Sequence, residues 1–218
     1  KPVYAIAKRA KFKKIAYAEG EEERVLRAAQ VVVDEGIARP VLIGRPAVIA
    51  QRIERFGLRL REGVDYEVVN VENDPRYRAL WQEYHQIMER RGVTPQLAKI
   101  EMRRRHTLIG AMLLRHWEVH GLICGTWGVP TMHLNYIDQV IGKRPGATCY
   151  AAMNAILLPN RQLFLVDTHI NNDPTAEQIA AITRMAARKM MRFGITPKAA
   201  LLSHSNFGSS DAASAVKM

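Results

Sequence analysis

Two short polar loops hold the side chains of this sequence that are best suited to binding a ligand. They are residues 125–128, with the sequence Gly-Thr-Trp-Gly, and residues 205–210, with the sequence Ser-Asn-Phe-Gly-Ser-Ser. Hydroxyl groups, amides and glycine backbone N–H groups can together hold an anionic group such as a phosphate. Each loop is predicted to join a strand to a helix, and open parallel α/β sheets collect their ligands at that end of the strands. We therefore expect the function to reside at these two loops.

The sequence contains no complete motif for a nucleotide or a metal ion. Neither Gly-x-x-x-x-Gly-Lys nor Gly-x-Gly-x-x-Gly occurs, so dinucleotide binding by this chain is disfavoured. His116 and His120 have the i, i+4 spacing of two zinc ligands on a helix. The metalloprotease motif, however, requires Glu directly after the first His, where Trp117 stands, and no third ligand is close in sequence. We interpret both as surface or helix-end histidines and predict no metal site.

The charge of the chain does not by itself indicate nucleic acid binding. The 32 Lys and Arg residues exceed the 21 Asp and Glu residues and give a net charge of +11. They are spread along predicted helices, and aromatic residues make up only 7% of the chain, so the basic residues lack the aromatic partners of a nucleic acid surface. The densest cluster, residues 103–105, lies within a helical pattern. We interpret the basic residues as solvated helix faces and predict no nucleic acid partner.

The apolar content and the cysteines limit the kinds of protein that this sequence can encode. With 48% hydrophobic residues, a chain of 218 residues can bury the core of one large α/β domain or two small ones. No apolar run reaches the length of a membrane span. Cys124 and Cys149, the only cysteines, have small or apolar neighbours, which fits free thiols in a reducing compartment better than a disulfide. We expect a cytoplasmic protein with no membrane partner.

The elements that must position the first loop form a repeating pattern of strand and helix. Four strands are predicted from apolar runs at residues 13–18, 40–44, 66–71 and 121–125. Helices are predicted between the strands and after the last one, and the longest spans residues 95–119. Short, wholly apolar strands that alternate with helices indicate a mainly parallel sheet covered by helices on both faces. The predicted fold class is therefore α/β.

The pattern changes after Gly146. Residues 147–158 and 162–170 predict two strands, and the three residues between them allow only a tight antiparallel hairpin. The fold is therefore expected to have two lobes, the second beginning with this hairpin. The predicted divisions are a leader, residues 1–12, a first lobe, residues 13–145, and a second lobe, residues 146–218.

The second polar loop lies between a predicted strand and a predicted helix near the end of the chain. A helix from about Asp173 to Gly194 leads to a strand over residues 198–203, which ends at the loop. The following helix begins near Asp211, and the chain stops at Met218 before that helix completes two turns. We interpret the sequence as a fragment whose second lobe is incomplete.

Several separated blocks of the sequence resemble one known family. They run from about Lys13 to the end of the chain and comprise residues 18–29 (AEGEEERVLRAA), 39–44 (RPVLIG), 157–160 (LLPN) and 172–178 (NDPTAEQ). In these blocks the chain is similar to the phosphate acetyl/butyryltransferase family. Within that family, residues 125–136 and 203–209 resemble the version found at the C-terminus of large bacterial NADP-dependent malic enzymes. The resemblance implies a phosphotransacetylase-like fold of the isocitrate/isopropylmalate dehydrogenase-like architecture, with residues 1–12 as a linker from an N-terminal malic enzyme part.

The resemblance also indicates where this chain departs from active phosphotransacetylases. Those enzymes carry an arginine at the position of Asn135 and commonly a lysine at that of Phe207. Asparagine keeps its hydrogen bonds but loses the charge with which arginine clamps a phosphate. The remaining catalytic residues of the family lie beyond Met218, so we assign no catalytic residue in this chain. Acetyl-CoA is expected to bind in a cleft between the lobes, at Thr126, Asn135, Ser205, Asn206 and Ser209.

The resemblance therefore implies a regulatory role. The chain is expected to be the acetyl-CoA-sensing and oligomerisation domain of a malic enzyme that converts malate to pyruvate and CO2, with NADP and a divalent metal bound in the N-terminal part. Two alternatives remain, an active phosphate acetyltransferase and a purely structural oligomerisation domain. The expected partners are the N-terminal malic enzyme part and a second copy of the chain.

The expectation of self-association depends on the helix between Asp173 and Gly194. That helix carries more apolar residues than one buried stripe needs, and an extra apolar surface usually marks an interface. A symmetric dimer is the commonest way to bury such a surface. A helix covered by further parts of the second lobe would show the same pattern, so both interpretations stay open.

Overall fold

The computed structural model describes residues 2–10, 13–159 and 161–218. The chain divides into two compact units, residues 1–142 and 143–218. Three residues of the predicted leader, Lys1, Lys11 and Phe12, lie outside the described residues, as does Asn160 of the predicted hairpin turn. The leader otherwise forms a helix, α1 (Pro2–Arg9).

The first unit is built on a four-stranded sheet in which all strand pairs are parallel, as the apolar runs predict. The strands are β1 (Lys14–Tyr17), β2 (Arg39–Gly44), β3 (Glu67–Asn70) and β4 (Gly121–Ile123). Their order across the sheet is β3-β2-β1-β4. The chain therefore adds strands to one side of β1 and then returns to add β4 on its other side. That reversal creates a crevice at the carboxyl ends of β1 and β4, where ligands bind in folds of this class.

Helices cover both faces of this sheet. They are α2 (Glu23–Asp34), α3 (Pro46–Arg55), α4 (Tyr77–Met88), α5 (Pro95–Arg104), α6 (His106–Arg115) and α7 (Pro130–Val140). Successive strand residues point to opposite faces, so Ile43 packs in the cluster formed with α4, α5, α6 and α7. Its neighbour Leu42 packs with Leu26 of α2 and Ile49 of α3 on the other face. Each such side chain, when fully buried, stabilises the fold by about 1.5–3 kcal/mol.

The single helix predicted over residues 95–119 is wrong, because the structure divides it at Arg105. The backbone of Arg105 has φ −109° and ψ 88°, outside the helical region. The two halves bury different amounts of surface: α5 buries only Ala98 and Met102, whereas α6 buries every residue from Thr107 to Leu113. One straight helix could not serve both halves, because an amphipathic half needs one face in water while a half that is apolar all round must be buried on every side. The break lets α6 lie within the core while α5 keeps one face in water.

The second unit begins with the predicted antiparallel hairpin. Its strands are β5 (Met153–Leu157) and β6 (Gln162–Val166), and Met153 lies opposite Val166. Both strands are shorter than predicted because the Asp167 carboxylate interrupts the ladder, accepting hydrogen bonds from the backbone N–H groups of Ala152 (2.8 Å) and Asn171 (3.0 Å). Side-chain acceptors of this kind compete with strand pairing. The mixed α/β fold with an added antiparallel pair is thus confirmed.

One predicted helix of the second unit is confirmed and one predicted strand is wrong. Helix α8 (Ala176–Arg192) begins at a capping box in which Thr175 and Gln178 bond each other's backbone N–H groups, and Gly194 follows it with φ +73°. Residues 198–203 form no strand, since no described strand offers them a backbone partner. The last helix, α9, is a single turn (Ala213–Val216). Across the described residues, no helix combines the length and apolar character needed to cross a membrane.

Candidate functional site

The carboxyl ends of β1 and β4 are joined by hydrogen bonds that shape the first polar loop. The strands run side by side, with Tyr17 opposite Ile123. Beyond them the Ala18 N–H donates to the Ile123 carbonyl (2.9 Å), and the Gly125 N–H donates to Glu19 Oε1 (3.1 Å). Gly125 has φ +104°, a conformation that a side chain would strain. The carboxylate thus holds the start of the loop at the switch point of the sheet.

A buried chain of hydrogen bonds fixes the rest of that loop. Thr107 Oγ1 lies 2.7 Å from His133 Nδ1, and His133 Nε2 lies 2.5 Å from the Trp127 carbonyl oxygen. A carbonyl only accepts, so Nε2 carries the imidazole proton and Nδ1 accepts from the Thr107 hydroxyl. Both side chains are buried. The loop is therefore tied to α6 and α7 at once.

Cys124, which directly follows β4, is a poor candidate nucleophile. Its thiol is half-buried. Burial raises the pKa of the Cys124 thiol, the negative charge of Glu19 raises it further, and a hydrogen bond with Thr107 offsets only part of this. A thiol with a raised pKa stays protonated at neutral pH, and the thiolate is the reactive form. We therefore assign Cys124 a structural role and no catalytic one.

A second network holds α7 in place. Glu101 of α5 accepts hydrogen bonds from the hydroxyl of Tyr84 in α4 and from that of Tyr136 in α7, each at 3.0 Å. Both tyrosines are buried. Because α7 also carries His133 and Asn135, this contact sets where those two side chains lie relative to α4 and α5.

Because these tyrosines are buried, we expect the folded state to lose stability at alkaline pH. Burial raises the pKa of Tyr84 and of Tyr136, and the charge of Glu101 raises both further; burial also raises the pKa of Tyr17 and Tyr66. The folded state thus holds these protons more tightly than the unfolded chain does. The stabilisation is complete below about pH 10 and is lost as the pH rises through the folded-state pKa values.

Two measurements check this. The tyrosinate absorbance of the native protein should include a phase that rises at higher pH than in the unfolded chain, and the denaturation midpoint should fall above about pH 10. Tyr84→Phe should reduce the pH dependence of that midpoint. A single tyrosine transition coinciding with that of the unfolded chain would contradict the prediction.

The predicted acetyl-CoA residues fall into both units. Thr126 is half-buried in the loop after β4, and Asn135 is exposed on α7. In the second unit, Ser205 Oγ accepts from the Ser210 N–H (3.2 Å), and Ser209 Oγ accepts from the Asn206 N–H (3.0 Å). The second loop is thus closed by its own hydroxyls, each of which keeps its O–H proton for another acceptor. Binding across both units stays a prediction.

Phe207 lies at the tip of the second loop. Its backbone has φ +51° and its side chain is fully exposed. An apolar ring held in water at a left-handed position is unusual, because this conformation costs energy for any residue other than glycine. The structure therefore presents an uncharged aromatic group where active relatives are expected to present a lysine.

Glu19, Thr107 and His133 were not predicted as parts of the site. Thr107 and His133 are 26 residues apart in sequence and meet only because α6 and α7 pack together. Thr107 belongs to no recognisable motif, and the family-like block over residues 125–136 includes His133 without indicating its contact with Thr107. Glu19 directly follows an apolar strand and lies in the family-like block over residues 18–29, and these two sequence signals could have identified it.

The two histidines with zinc-like spacing do not share a helix face. His116 caps the C-terminus of α6, and its Nε2 lies 2.6 Å from Glu83 Oε2. His120 precedes β4, and its Nδ1 accepts from the Lys14 N–H at 3.2 Å. Both are exposed, as predicted for surface or helix-end histidines. Within the described part of the chain, no three His, Cys, Asp or Glu side chains are grouped so as to hold a metal ion.

Comparison with known proteins agrees with this architecture. The family described as "Phosphate acetyl/butaryl transferase" matches residues 1–218. All 218 residues align with NADP-dependent malic enzyme of Salmonella typhimurium and with NAD-dependent malic enzyme of Rhizobium meliloti, each at 49% identity, yet the chain spans only 29% and 28% of those proteins. A solved phosphotransacetylase from Streptococcus pyogenes superposes with a TM-score of 0.81 at 26% identity, over 94% of this chain and 62% of that one. The chain belongs to the phosphate acetyl/butyryl transferase family.

Proposed function

We propose that this chain is the phosphotransacetylase-like C-terminal domain of an NADP-dependent decarboxylating malic enzyme. The observation that carries the proposal is its 49% identity, over its full length, with malic enzymes that are more than three times longer. In this account the N-terminal part of the same protein binds malate, NADP and a divalent metal, and forms pyruvate and CO2. The domain described here senses acetyl-CoA and holds the oligomer together.

The structure of the first unit supports a binding role over a catalytic one. Its carboxyl edge presents the neutral side chains of Thr126 and Asn135, and the Cys124 thiol beside them is kept protonated by burial. The imidazole of His133 is buried and engaged at both ring nitrogens. These groups can hydrogen-bond a ligand and fix a loop, but they supply neither a nucleophile nor a free base.

A competent phosphate acetyltransferase is the second candidate. The structural similarity to the Streptococcus pyogenes phosphotransacetylase favours it, because that likeness extends over 94% of this chain. In that case the acetyl group of acetyl-CoA would be transferred to phosphate, forming acetyl phosphate and CoA, at the same edge of the sheet. The neutral Asn135 argues against this alternative, since transfer of the acetyl group from CoA to the anionic phosphate relies on positive charge at the site.

Self-association forms part of the proposal and rests on exposed apolar side chains of the second unit. Exposed side chains of this kind include Ile156, Leu157, Leu158, Leu163, Leu165, Val166, Met191, Leu201 and Leu202. In α8 only Ile182 is buried, Met191 is exposed, and most of the other apolar side chains are half-buried. A surface this apolar usually marks an interface.

We expect the complete domain to sediment as a dimer or larger species at micromolar concentration. Leu157→Glu and Leu202→Glu should shift the protein toward monomer, because each places a charge at a side chain that is more than 70% exposed. Val31→Glu on α2, which is 54% exposed in the first unit, serves as the matched control. A wild-type domain that sediments as a monomer would remove the assembly role.

The malic enzyme assignment is tested on the full protein. Malate-dependent NADP reduction should be accompanied by CO2 release, and its initial rate should change when acetyl-CoA is added but not when acetate is added. Absence of malate oxidation would contradict the parent assignment. Malate oxidation that ignores acetyl-CoA would favour the purely structural role.

A further inference from the structure

Most cations near the carboxyl edge of the first unit are already committed to other groups. Arg45 forms two side-chain hydrogen bonds with the Glu21 carboxylate, at 2.9 and 2.8 Å, and these are the main cause of the lowered pKa of Glu21. Arg52 donates to the Glu21 backbone carbonyl. Arg24 is paired with Glu22 at 3.0 Å. These guanidinium groups stabilise the start of α2 and are not free to bind a ligand.

Arg105 differs from them. It lies at the break between α5 and α6, and the next residue, His106, bonds the Ala18 carbonyl beyond the end of β1 at 3.0 Å. The break therefore stands at the carboxyl edge of the sheet. The Arg105 side chain is exposed and reaches α7, where Nη1 lies 3.8 Å from Met132 Sδ. Within the described ranges, no carboxylate forms an ion pair with it.

The guanidinium of Arg105 reaches the helix that carries the exposed Asn135. Met132, which it contacts, lies three residues before Asn135, and side chains three apart share one surface of a helix. The Arg105 side chain also forms a hydrogen bond with the Tyr136 hydroxyl, and this bond and the positive charge of Arg105 oppose the rise in the Tyr136 pKa caused by burial and by Glu101. A cation without a carboxylate partner in the described part of the chain thus contacts the same helix, α7, that carries the neutral Asn135, at the edge where ligands collect.

We propose that Arg105 binds a phosphate group of acetyl-CoA at this edge, with Asn135 as a neutral hydrogen-bonding neighbour. The inference rests on the proposed acetyl-CoA-sensing function. CoA carries phosphates on its nucleotide part, and a planar guanidinium can donate two parallel hydrogen bonds to such a group. The adjacent Arg103 does not compete for this role, since its guanidinium stacks over the ring of Tyr77 at 4.7 Å.

The experiment compares Arg105→Gln with Arg104→Gln in the full protein by calorimetric titration. Both substitutions remove one positive charge from an exposed side chain. The probes are acetyl-CoA and acetyl-pantetheine, which has the same acyl thioester but lacks the nucleotide phosphates. We expect Arg105→Gln to raise the Kd for acetyl-CoA about 10- to 100-fold, as the loss of a charged hydrogen bond does. Arg104→Gln should change it less than about threefold.

The second probe separates a phosphate contact from a folding defect. Acetyl-pantetheine should bind wild type and Arg105→Gln equally, because it offers no phosphate to either. Equal loss of both probes would indicate a damaged site and would overturn the inference. Wild-type affinity of Arg105→Gln for acetyl-CoA would overturn it while leaving the sensing function intact. A wild-type protein that does not bind acetyl-CoA would contradict the sensing function itself and this inference with it.

Discussion

A complete version of this domain should form acetyl phosphate from acetyl-CoA and phosphate at least about 10²–10³-fold more slowly than a competent phosphotransacetylase. The reason is that the resemblance implies positively charged side chains in active members at the positions of Asn135 and Phe207, where they would stabilise negative charge in the transition state. Asn135 is neutral, and Phe207 offers an exposed aromatic ring. Neither side chain can replace a guanidinium or an ammonium group.

The test measures phosphate-dependent release of CoA from acetyl-CoA. The double variant Asn135→Arg with Phe207→Lys should turn over faster than wild type, because it places at exposed positions the two charges that the resemblance implies for active members. Val31→Lys on α2 is the matched control, since it adds a charge at a side chain that is 54% exposed and lies outside both polar loops. Wild-type turnover within the range of competent enzymes, ~1–10³ s⁻¹, would contradict the prediction and promote the transferase alternative.

Gly20→Ala should destabilise the fold by about 3 kcal/mol or more, at the upper end of the cost of overpacking. A Cβ atom at Gly20 would lie 2.8 Å from both the backbone nitrogen and the backbone oxygen of Ile43, and 2.9 Å from Leu42 Cβ. These atoms belong to β2 at the centre of the sheet and cannot rotate away as a side-chain tip can. The Gly20 N–H also donates to the Ile43 carbonyl (3.1 Å), so the two segments cannot separate without losing that bond.

The denaturant midpoint of Gly20→Ala is best compared with that of Gly36→Ala. Gly36 has φ +61° and no atom within 4 Å of a built Cβ, so its substitution costs only the backbone strain, about 1–2 kcal/mol. If the two variants were equally stable, the close packing between β2 and the end of β1 would not be a determinant of stability. Loss of acetyl-CoA binding in Gly20→Ala alone would further indicate that the position of the neighbouring Glu19 matters.

The sequence predicted the parts of the fold that depend on local patterns. Wholly apolar runs such as residues 40–44, alternating with helices, indicate a parallel sheet covered on both faces, and the structure confirms a parallel sheet. The hairpin followed from a turn too short for any other connection. The break at Arg105 was missed because the helical period continues across it, and only packing decides that α5 and α6 separate.

The sequence predicted where the site lies but not the hydrogen bonds that hold its loop in place. The loop over residues 125–128 was found because polar residues and glycines follow an apolar strand. The contacts that hold it, from Thr107 to His133 and from Glu19 to Gly125, join residues 26 and 106 positions apart. Such pairs leave no spacing signal in one sequence. Similarly, the strand predicted over residues 198–203 failed because a strand needs a partner that the local pattern cannot show.

Calorimetric titration of acetyl-CoA into the complete domain tests the central claim most directly. We predict a heat of binding that saturates with a Kd of about 1 mM or below, together with a rise in the thermal midpoint, since a ligand that binds only the folded state stabilises it. Acetate at the same concentration should produce neither effect. Absence of both heat and thermal shift with acetyl-CoA would contradict the claim that this domain is a sensor.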